Sequence, residues 1–491
     1  YRIKFSGLKG IWAESPFVSW GKIEDYRSRK SKLKVKVRSK SARINDVASA
    51  FFPWDVEGKG RMNINVDFFC QGYRKEKFRF EGKAEFQDLS LSFPQFPHPF
   101  TNLEGKIAFS SQGILFSPIK GKTGNSELSF SGQWDNFRKP VVTGNIEGKS
   151  INFLDFLLQR KKEGKQTSAS FQLDNLGVNL KKLYYQDLAL SDLKTKINYQ
   201  DGILTISFLQ AKNGKFRGFK FANLSNKEEN QYVRIIYQNG IVRIPFLRLD
   251  SQEGSWVAKE VKIPIWSEKG ENFSLFSQVK NIPAKEILAA ISPEKQNLTG
   301  TLNLQGKISG KGENFSQWIE TLNGEVSFTI KDGVIKKLNI LSKLLSLLNV
   351  SRIFSQNYSK LLVEGMVYDT IQGSFQIEDG IAHTDNLFLD SPSMKINAVG
   401  DIDLGKSSLN LEIAVQPLET VDKIVGKIPI LGTVLMGDEG AVLVTYYKLT
   451  GSFKKPKLHP VVFESLGRKG QGIFQRLLKL PETILLPGSK K

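Results

Sequence analysis

Polar and apolar residues alternate along most of this chain. In residues 32–38, Lys-Leu-Lys-Val-Lys-Val-Arg, every second side chain is basic and the side chains between them are aliphatic. Side chains of a β-strand point alternately to its two faces, so this period of two predicts a strand with one charged and one apolar face. Similar segments recur through about 460 residues without a linker rich in Pro, Ser or Gly. We therefore predict a mostly β protein built on one elongated sheet.

A hairpin motif recurs about four times. Each copy alternates apolar with polar residues and then reaches an Xaa-Gly pair, where glycine can take the positive φ of a tight turn. The copies span residues 103–115, 193–204, 322–335 and 371–381, and their turns are Gln112-Gly113, Asp201-Gly202, Asp332-Gly333 and Asp379-Gly380. Asn239-Gly240 is a candidate fifth turn. The repetition indicates that successive strands pair with one another.

A few amphipathic helices interrupt the strand pattern. Short helices are predicted at 45–52 and 283–291, each before a strand bounded by glycine, with a weaker third copy at 151–158. Longer apolar stripes predict helices near 336–350 and 420–436. The segment 461–491 reads as a basic amphipathic tail, and its expected membrane-contact residues are Phe474, Arg476, Leu477, Leu478 and Lys479. A helix that plugs the end of a groove is the alternative interpretation of this tail.

Composition and charge narrow the classes of function. The formal net charge of +21 favours an anionic partner such as nucleic acid, phospholipid or lipopolysaccharide. Most aromatic residues share the apolar half of the alternating strands, which argues against a nucleic-acid surface. No apolar run approaches the roughly 18 residues of a membrane-spanning helix. The strand pattern is already established at Tyr1, so we expect that upstream sequence, such as a signal or membrane anchor, is missing.

Catalytic and ligand-binding motifs are absent from the sequence. The three histidines, His98, His383 and His459, are scattered, and metal ligands need short or structured spacing. A single cysteine, Cys70, excludes an internal disulfide framework and a zinc cluster based on cysteine. We therefore expect no enzyme activity, no cofactor and no metal. A pair of catalytic carboxylates stays open because 49 acidic residues offer many pairs of unknown geometry.

An ordered series of short sequence segments between residues 298 and 456 resembles a known family. The segments are Leu-Asn-Leu-Gln-Gly at 302–306, Trp-Ile-Glu-Thr-Leu-Asn-Gly at 318–324, Ile-Lys-Asp-Gly-Val-Ile at 330–335, Gly-Ser-Phe-Gln-Ile-Glu-Asp-Gly at 373–380, Ala-Val-Gly-Asp-Ile-Asp-Leu at 398–404 and Ile-Pro-Ile-Leu-Gly at 428–432. They resemble the C-terminal region of the AsmA-like family of bacterial envelope proteins, which includes YhdP-like and TamB-like members. Residues 102–137 are similar to upstream repeats of YhdP-like members.

The resemblance implies a periplasmic lipid transfer protein. Its strands would curve into an open hydrophobic groove that shields phospholipid acyl chains between the inner and outer membranes. The implied partners are phospholipid and a membrane surface or membrane protein at one or both membranes, with no nucleic acid. An N-terminal helix absent from this chain would anchor it to the inner membrane. The expected domains are a repeated β-groove at 1–280, an AsmA-like C-terminal β-groove domain at 281–460 and the tail at 461–491.

The groove lining is assigned to the apolar half of five segments, because acyl chains require an apolar surface. An ordinary packed core would show the same pattern. The predicted lining residues are Leu33, Val35, Val37, Ile64, Val66, Phe68, Leu302, Leu304, Val326, Phe328, Ile330, Leu409, Leu411, Ile413 and Val415.

Two other functions compete with lipid transfer. A scaffold or chaperone could hold outer-membrane polypeptides by adding their strands to an exposed sheet edge. Charged or covered edges would favour lipid transfer, whereas long edges with few Lys or Pro would favour strand addition. A polysaccharide-processing enzyme would need carboxylates that converge at one position of the groove.

Overall fold

The computed structural model describes residues 1–28, 31–51, 57–72, 78–94, 96–137, 139–156, 171–265, 271–291, 297–336, 364–418, 432–437, 440–462, 465, 466, 468 and 472. These residues form two compact units. The first unit comprises Tyr1–Phe216 and Ala222–Gln238, and the second comprises Arg217–Phe221 and Asn239–Lys491. None of the described helices is long and apolar enough to cross a membrane.

The first unit is built on one ladder of strands. Its elements are β1 (Arg2–Trp12), β2 (Ser15–Glu24), β3 (Lys32–Arg43), α1 (Ile44–Phe51), β4 (Glu57–Lys59), β5 (Arg61–Gln71), β6 (Phe78–Ser92), β7 (Phe100–Ser110), β8 (Gly113–Thr123), β9 (Ser126–Asp135), β10 (Val141–Gly148), β11 (Ile151–Asn152), a 3₁₀ turn (Phe153–Phe156), β12 (Gln172–Tyr185), β13 (Leu188–Gln200), β14 (Ile203–Phe216), β15 (Phe219–Ser225, which begins in the second unit), β16 (Lys227–Glu228), β17 (Gln231–Tyr232) and β18 (Ile235–Gln238). Antiparallel pairing runs from β1 to β10 through β2, β3 and β5 to β9. β12 then joins β10 in parallel, and β13, β14 and β18 follow antiparallel.

The second unit repeats this architecture with antiparallel pairing between its strands. Its elements are β19 (Ile241–Asp250), β20 (Ser255–Pro264), β21 (Asn272–Pro283), α2 (Ala284–Ile291), β22 (Thr301–Lys311), α3 (Phe315–Glu320), β23 (Asn323–Ile335), β24 (Met366–Glu378), β25 (Ile381–Asp390), β26 (Met394–Asp403), β27 (Ser408–Pro417), β28 (Gly432–Gly437), β29 (Gly440–Ser452) and β30 (Lys455–Val461). Successive strands pair from β19 to β27, and β29 joins β27, β28 and β30. The predicted mostly β fold of repeated hairpins is confirmed.

The predictions of short helices are confirmed more often than the predictions of long helices. The predicted helices at 45–52 and 283–291 are confirmed by α1 and α2, whereas 151–158 forms only β11 and a 3₁₀ turn in its described part. The helix predicted at 420–436 is wrong over 432–436, which lies in β28, because these residues pair with β29 in a hairpin. Residues 337–350 and 420–431 lie outside the described part of the chain.

Helix α3 was not predicted from the sequence. Asn314 caps its first turn, since the Asn314 side chain accepts a hydrogen bond of 3.1 Å from the Gln317 amide. The domain boundary predicted at residue 280 separates two types of repeat. The division into two compact units does not test repeat type, so this boundary stays a prediction.

Two predicted turns are confirmed and two are wrong in detail. Both residues of Asp201-Gly202 and of Asp379-Gly380 have positive φ, and each pair joins two antiparallel strands. Gly113 instead starts β8 without a positive φ, and a side chain there would meet the Trp134 carbonyl oxygen. Asp332-Gly333 lies inside β23, because the ladder to β24 continues past it with Gly333 opposite Tyr368. Asn239 and Gly240 both have positive φ between β18 and β19.

Single residues with positive φ interrupt many strands at β-bulges. Each adds one residue to one strand, so apolar residues on both sides of the bulge stay on the same face. Asp88, Asn102, Asn175, Asp192 and Asn281 lie at register shifts of this kind. Asp and Asn tolerate the left-handed region better than other non-glycine residues, which explains why they occur here inside strands.

Described strands contact chiefly their partners in the ladder and the helices at the strand ends. Apart from the separate pair β16–β17, the strands of the described residues belong to one sheet. Each ladder therefore has two faces, one on each side of the sheet.

Candidate functional site

The predicted lining residues of the first unit lie on one face of its sheet. Residues directly opposite each other in paired strands project to the same face. Val35 is opposite Phe68 and Val37 is opposite Val66, while Ile64 and Leu33 follow at intervals of two along their strands. The structure therefore brings these six predicted residues together.

The register extends this face across most of the first unit. One row of mutually opposite residues crosses eleven strands from β3 to β18, and ten of its members are apolar side chains while Gly82 is the exception. The row consists of Val37, Val66, Gly82, Phe109, Ile114, Trp134, Val142, Leu173, Tyr199, Leu204 and Tyr237. We call this side the apolar face of the first unit.

The nine predicted lining residues of the second unit also share one face. Leu302 is opposite Ile330 and Leu304 is opposite Phe328. A row of opposite residues then links the first of these pairs to Val415, through Ile371, Leu389 and Ile396. Val326, Leu409, Leu411 and Ile413 lie on the same face by the alternation of their strands. This side is the apolar face of the second unit.

Accessibility varies along the strands of the second unit. Leu302 and Ile330 are only 6% and 7% exposed, whereas Leu304, Val326 and Phe328 are half-buried. The half-buried residues lie near the middle of β22 and β23, so this part of the apolar face is partly exposed. Leu409, Leu411, Ile413 and Val415 are all buried, so they offer less surface than the sequence suggests.

Glycines opposite phenylalanines form a feature that the sequence analysis missed. In four cross-strand pairs on the apolar faces, a Cβ atom on the glycine would lie 2.4–2.5 Å from a carbon of the opposite ring. The pairs are Gly10 with Phe17, Gly21 with Phe5, Gly82 with Phe109, and Gly310 with Phe273. Each phenylalanine ring therefore lies over the backbone of the opposite glycine, and the glycine adds no side chain to the apolar face at that position. Strand register is needed to recognise the pairs.

The opposite, polar face of the first unit is dominated by charged side chains. Ion pairs join neighbouring strands, with Lys36 3.1 Å from Asp67 and Lys106 2.9 Å from Glu85. Two depressions of about 760 and 830 Å³ are lined mostly by residues of this face. Neither depression coincides with the predicted lining.

The structure does not bring the three histidines together. His98 Nε2 lies 3.7 Å from Asp155 in the first unit, and His383 Nδ1 lies 2.6 Å from Asp401 in the second. His459 is on β30, opposite Lys448. Across the described ranges, no three His, Cys, Asp or Glu side chains are grouped as a metal site would need.

The predicted membrane-contact residues Phe474, Arg476, Leu477, Leu478 and Lys479 lie outside the described residues. Earlier in the same tail, Leu466 is 5% exposed, so this side chain packs on protein. The tail therefore includes at least one buried residue after β30.

Comparisons with known proteins point to one family. The family model described as YhdP protein matches residues 142–458, which include the whole of the segment 298–456 that carries the sequence resemblance. The protein named "Intermembrane phospholipid transporter YhdP" of Escherichia coli (strain K12) is 23% identical to this chain over 275 residues. The match covers 52% of this chain and 21% of that protein, so the matched part is about a fifth of the relative.

Proposed function

Because the chain belongs to the YhdP family, we propose that it shields phospholipid acyl chains on its apolar faces during transfer between membranes. The role is non-enzymatic, since the strands offer a continuous apolar surface to the lipid and no reaction is required. The observation that carries the proposal is one sheet whose apolar residues line up across many neighbouring strands. A second sheet would normally cover such a face in a packed sandwich.

The energy of acyl-chain exposure supports the same role without reference to the family. Exposing an acyl chain to water costs about 0.8 kcal/mol per methylene, or roughly 12 kcal/mol for a chain of 16 carbons. Eleven strands of the second unit, β19 to β27 with β29 and β30, form one ladder, and strands about 4.8 Å apart would extend it by roughly 48 Å. The apolar row from Leu302 to Val415 crosses six of these strands, and an apolar surface of this kind would remove much of the cost without a fixed polar site.

We place this function in the periplasm, between the inner and outer membranes. The related protein is named an intermembrane phospholipid transporter, which supports phospholipid as the ligand. An N-terminal helix outside this sequence would anchor the chain to the inner membrane, and a membrane surface or membrane protein would receive the lipid.

The two end strands, β1 of the first unit and β30 of the second, favour this proposal over strand addition. In the described pairings, β1 pairs with β2 alone and β30 pairs with β29 alone. β1 includes Arg2, Lys4 and Lys9, and β30 includes Pro456 and Pro460. Charged residues and prolines discourage a polypeptide from adding to an edge.

The first test is whether lipid accompanies the protein. We expect phospholipid to co-purify with the chain, because half-buried apolar rows bind acyl chains that are available during expression. Mass spectrometry of organic extracts should detect at least one phospholipid per protein molecule. The control is a soluble protein of similar size from the same host, purified in the same way. Equal lipid in both extracts would contradict acyl-chain shielding.

A second test concerns the tail. We propose that residues 473–491 contact an anionic membrane, because Phe474, Leu477 and Leu478 can enter the headgroup boundary beside Arg476 and Lys479. Deleting 473–491 retains the buried Leu466 and should weaken binding to anionic liposomes about tenfold at low salt. Unchanged liposome binding together with a lower melting temperature would instead support a segment that plugs the end of the groove.

A further inference from the structure

Positive charge is unevenly distributed over the polar face of the first unit. Strands β1, β2 and β3 include ten Lys and Arg residues and one acid, Glu24. Strands β7, β8 and β9 include three lysines and three acids. The lysines of β7 and β8 all form ion pairs, namely Lys106 with Glu85, Lys120 with Glu104 and Lys122 with Glu127. The polar face is therefore neutralised at β7–β9 and positive at β1–β3.

The register gathers these cations into one surface. Lys4, Lys22 and Lys34 are successive partners across β1, β2 and β3. On the same face of β3, Lys32 lies two residues before Lys34 and Arg38 four residues after it. We call these five residues the basic face. Lys22 lies 3.0 Å from Glu24, whereas no described acid lies within ion-pair distance of the other four cations. Their charge is available to an external anion.

Aromatic and aliphatic side chains lie among these cations. The Lys34 ammonium lies 5.8 Å from the centre of the Phe69 ring, and the Arg38 guanidinium lies 5.5 Å from that of Trp20. The cations cover these rings, which leaves less ring surface for the base stacking that binds single-stranded nucleic acid. Ile11, 75% exposed, lies on the same side of β1. An indole ring, an exposed aliphatic side chain and several cations together suit the headgroup region of a bilayer.

We propose that the basic face docks on the surface of an anionic phospholipid bilayer. Each cation near such a surface is attracted to the anionic headgroups, and several together give binding that falls as salt rises. Val35 and Val37 of the same strand β3 point to the apolar face, so headgroup contact leaves the proposed acyl-chain surface free. The docking site is therefore separate from the lining and does not depend on the proposed transfer function.

The test compares two variants with the same change in charge. Lys4→Gln, Lys32→Gln, Lys34→Gln and Arg38→Gln are combined in one full-length chain, and Lys106→Gln, Lys120→Gln, Lys122→Gln and Lys181→Gln are combined in the control. The control cations each have an acidic partner on the polar face. Binding is measured by co-sedimentation with vesicles of phosphatidylcholine containing about one third phosphatidylglycerol, at low salt and at physiological salt.

We expect the basic-face variant to bind these vesicles about 100-fold more weakly than the unmodified chain, and the control variant less than threefold more weakly. All eight substituted side chains are at the surface, so circular dichroism should be unchanged. Equal losses in the two variants would show that net charge alone attracts the protein and would overturn the proposal. Equal binding of the unmodified chain to vesicles of pure phosphatidylcholine, or tighter binding to a single-stranded oligonucleotide, would also overturn it.

Discussion

Replacing Val326 and Phe328 together by Asp should remove at least nine tenths of the phospholipid that co-purifies with the chain. Both side chains are half-buried on the apolar face of the second unit, near the middle of β23. A carboxylate beside an acyl chain loses hydration without gaining a partner, which costs several kcal/mol. Quantitative mass spectrometry of extracted lipid, normalised to protein, measures the loss. Ile330 is left intact because it is buried, and a charge there would disturb folding itself.

The matched control lies on the other face of the same strand. Ser327 and Thr329 alternate with the two lining residues, so Ser327→Asp with Thr329→Asp adds the same charge to the polar face. We expect this control to retain its lipid, and both variants should retain the β-sheet circular dichroism. If the lining variant folds and binds as much lipid as the control, the apolar face of β23 does not hold acyl chains.

The two faces could be predicted from the sequence because strand alternation has a fixed period of two. All nine predicted lining residues of the second unit, from Leu302 to Val415, share one face for this reason. Their accessibility could not be predicted, because it depends on what neighbouring strands place beside each residue. Val415 is fully buried, whereas Val326 with the same alternation is half-buried.

Bulges limit how far alternation can be followed along one strand. Ser277 and Val279 precede Asn281 in β21, and Ile282 follows it on the same side as Val279 although the two are three residues apart. Asn281 has positive φ and absorbs the extra residue. A strict period of two would assign Ile282 to the polar face. An Asn or Asp inside an otherwise apolar alternation is the signal that could have indicated the bulge.

Glycine occupies the Xaa-Gly motif for more than one physical reason. The motif therefore predicts some turns correctly and others wrongly. Gly202 has positive φ in a tight turn, and no heavy atom lies within 4 Å of the position that a Cβ would take. Gly333 has an ordinary φ inside β23, but a Cβ there would lie 2.2 Å from the Thr299 carbonyl oxygen and 2.4 Å from the Tyr368 hydroxyl. Conformational freedom selects the first glycine, and close packing selects the second.

The Tyr368 side chain occupies the space that a Cβ atom at position 333 would need. Its side chain is fully buried, and its hydroxyl donates a hydrogen bond to the Thr299 carbonyl oxygen. Burial raises the pKa of Tyr368 to about 12, so the hydroxyl keeps its proton at neutral pH. The Thr299 amide donates a hydrogen bond to the Val334 carbonyl oxygen, and the Val334 amide donates one to the Thr299 hydroxyl. Gly333, Tyr368 and Thr299 therefore form one tightly packed joint between β23, β24 and the segment before β22.

Gly333→Ala should destabilise this joint by about 3 kcal/mol, because the added methyl group overlaps the Tyr368 ring and the Thr299 carbonyl. Hydrogen exchange should show faster exchange of the β23 and β24 amides, together with a lower melting temperature. The control Gly202→Ala tests backbone strain alone and should cost about 1 to 2 kcal/mol, confined to β13 and β14. If the two substitutions cost the same, or if Gly333→Ala leaves exchange in β23 unchanged, close packing against Tyr368 is not why glycine occupies position 333.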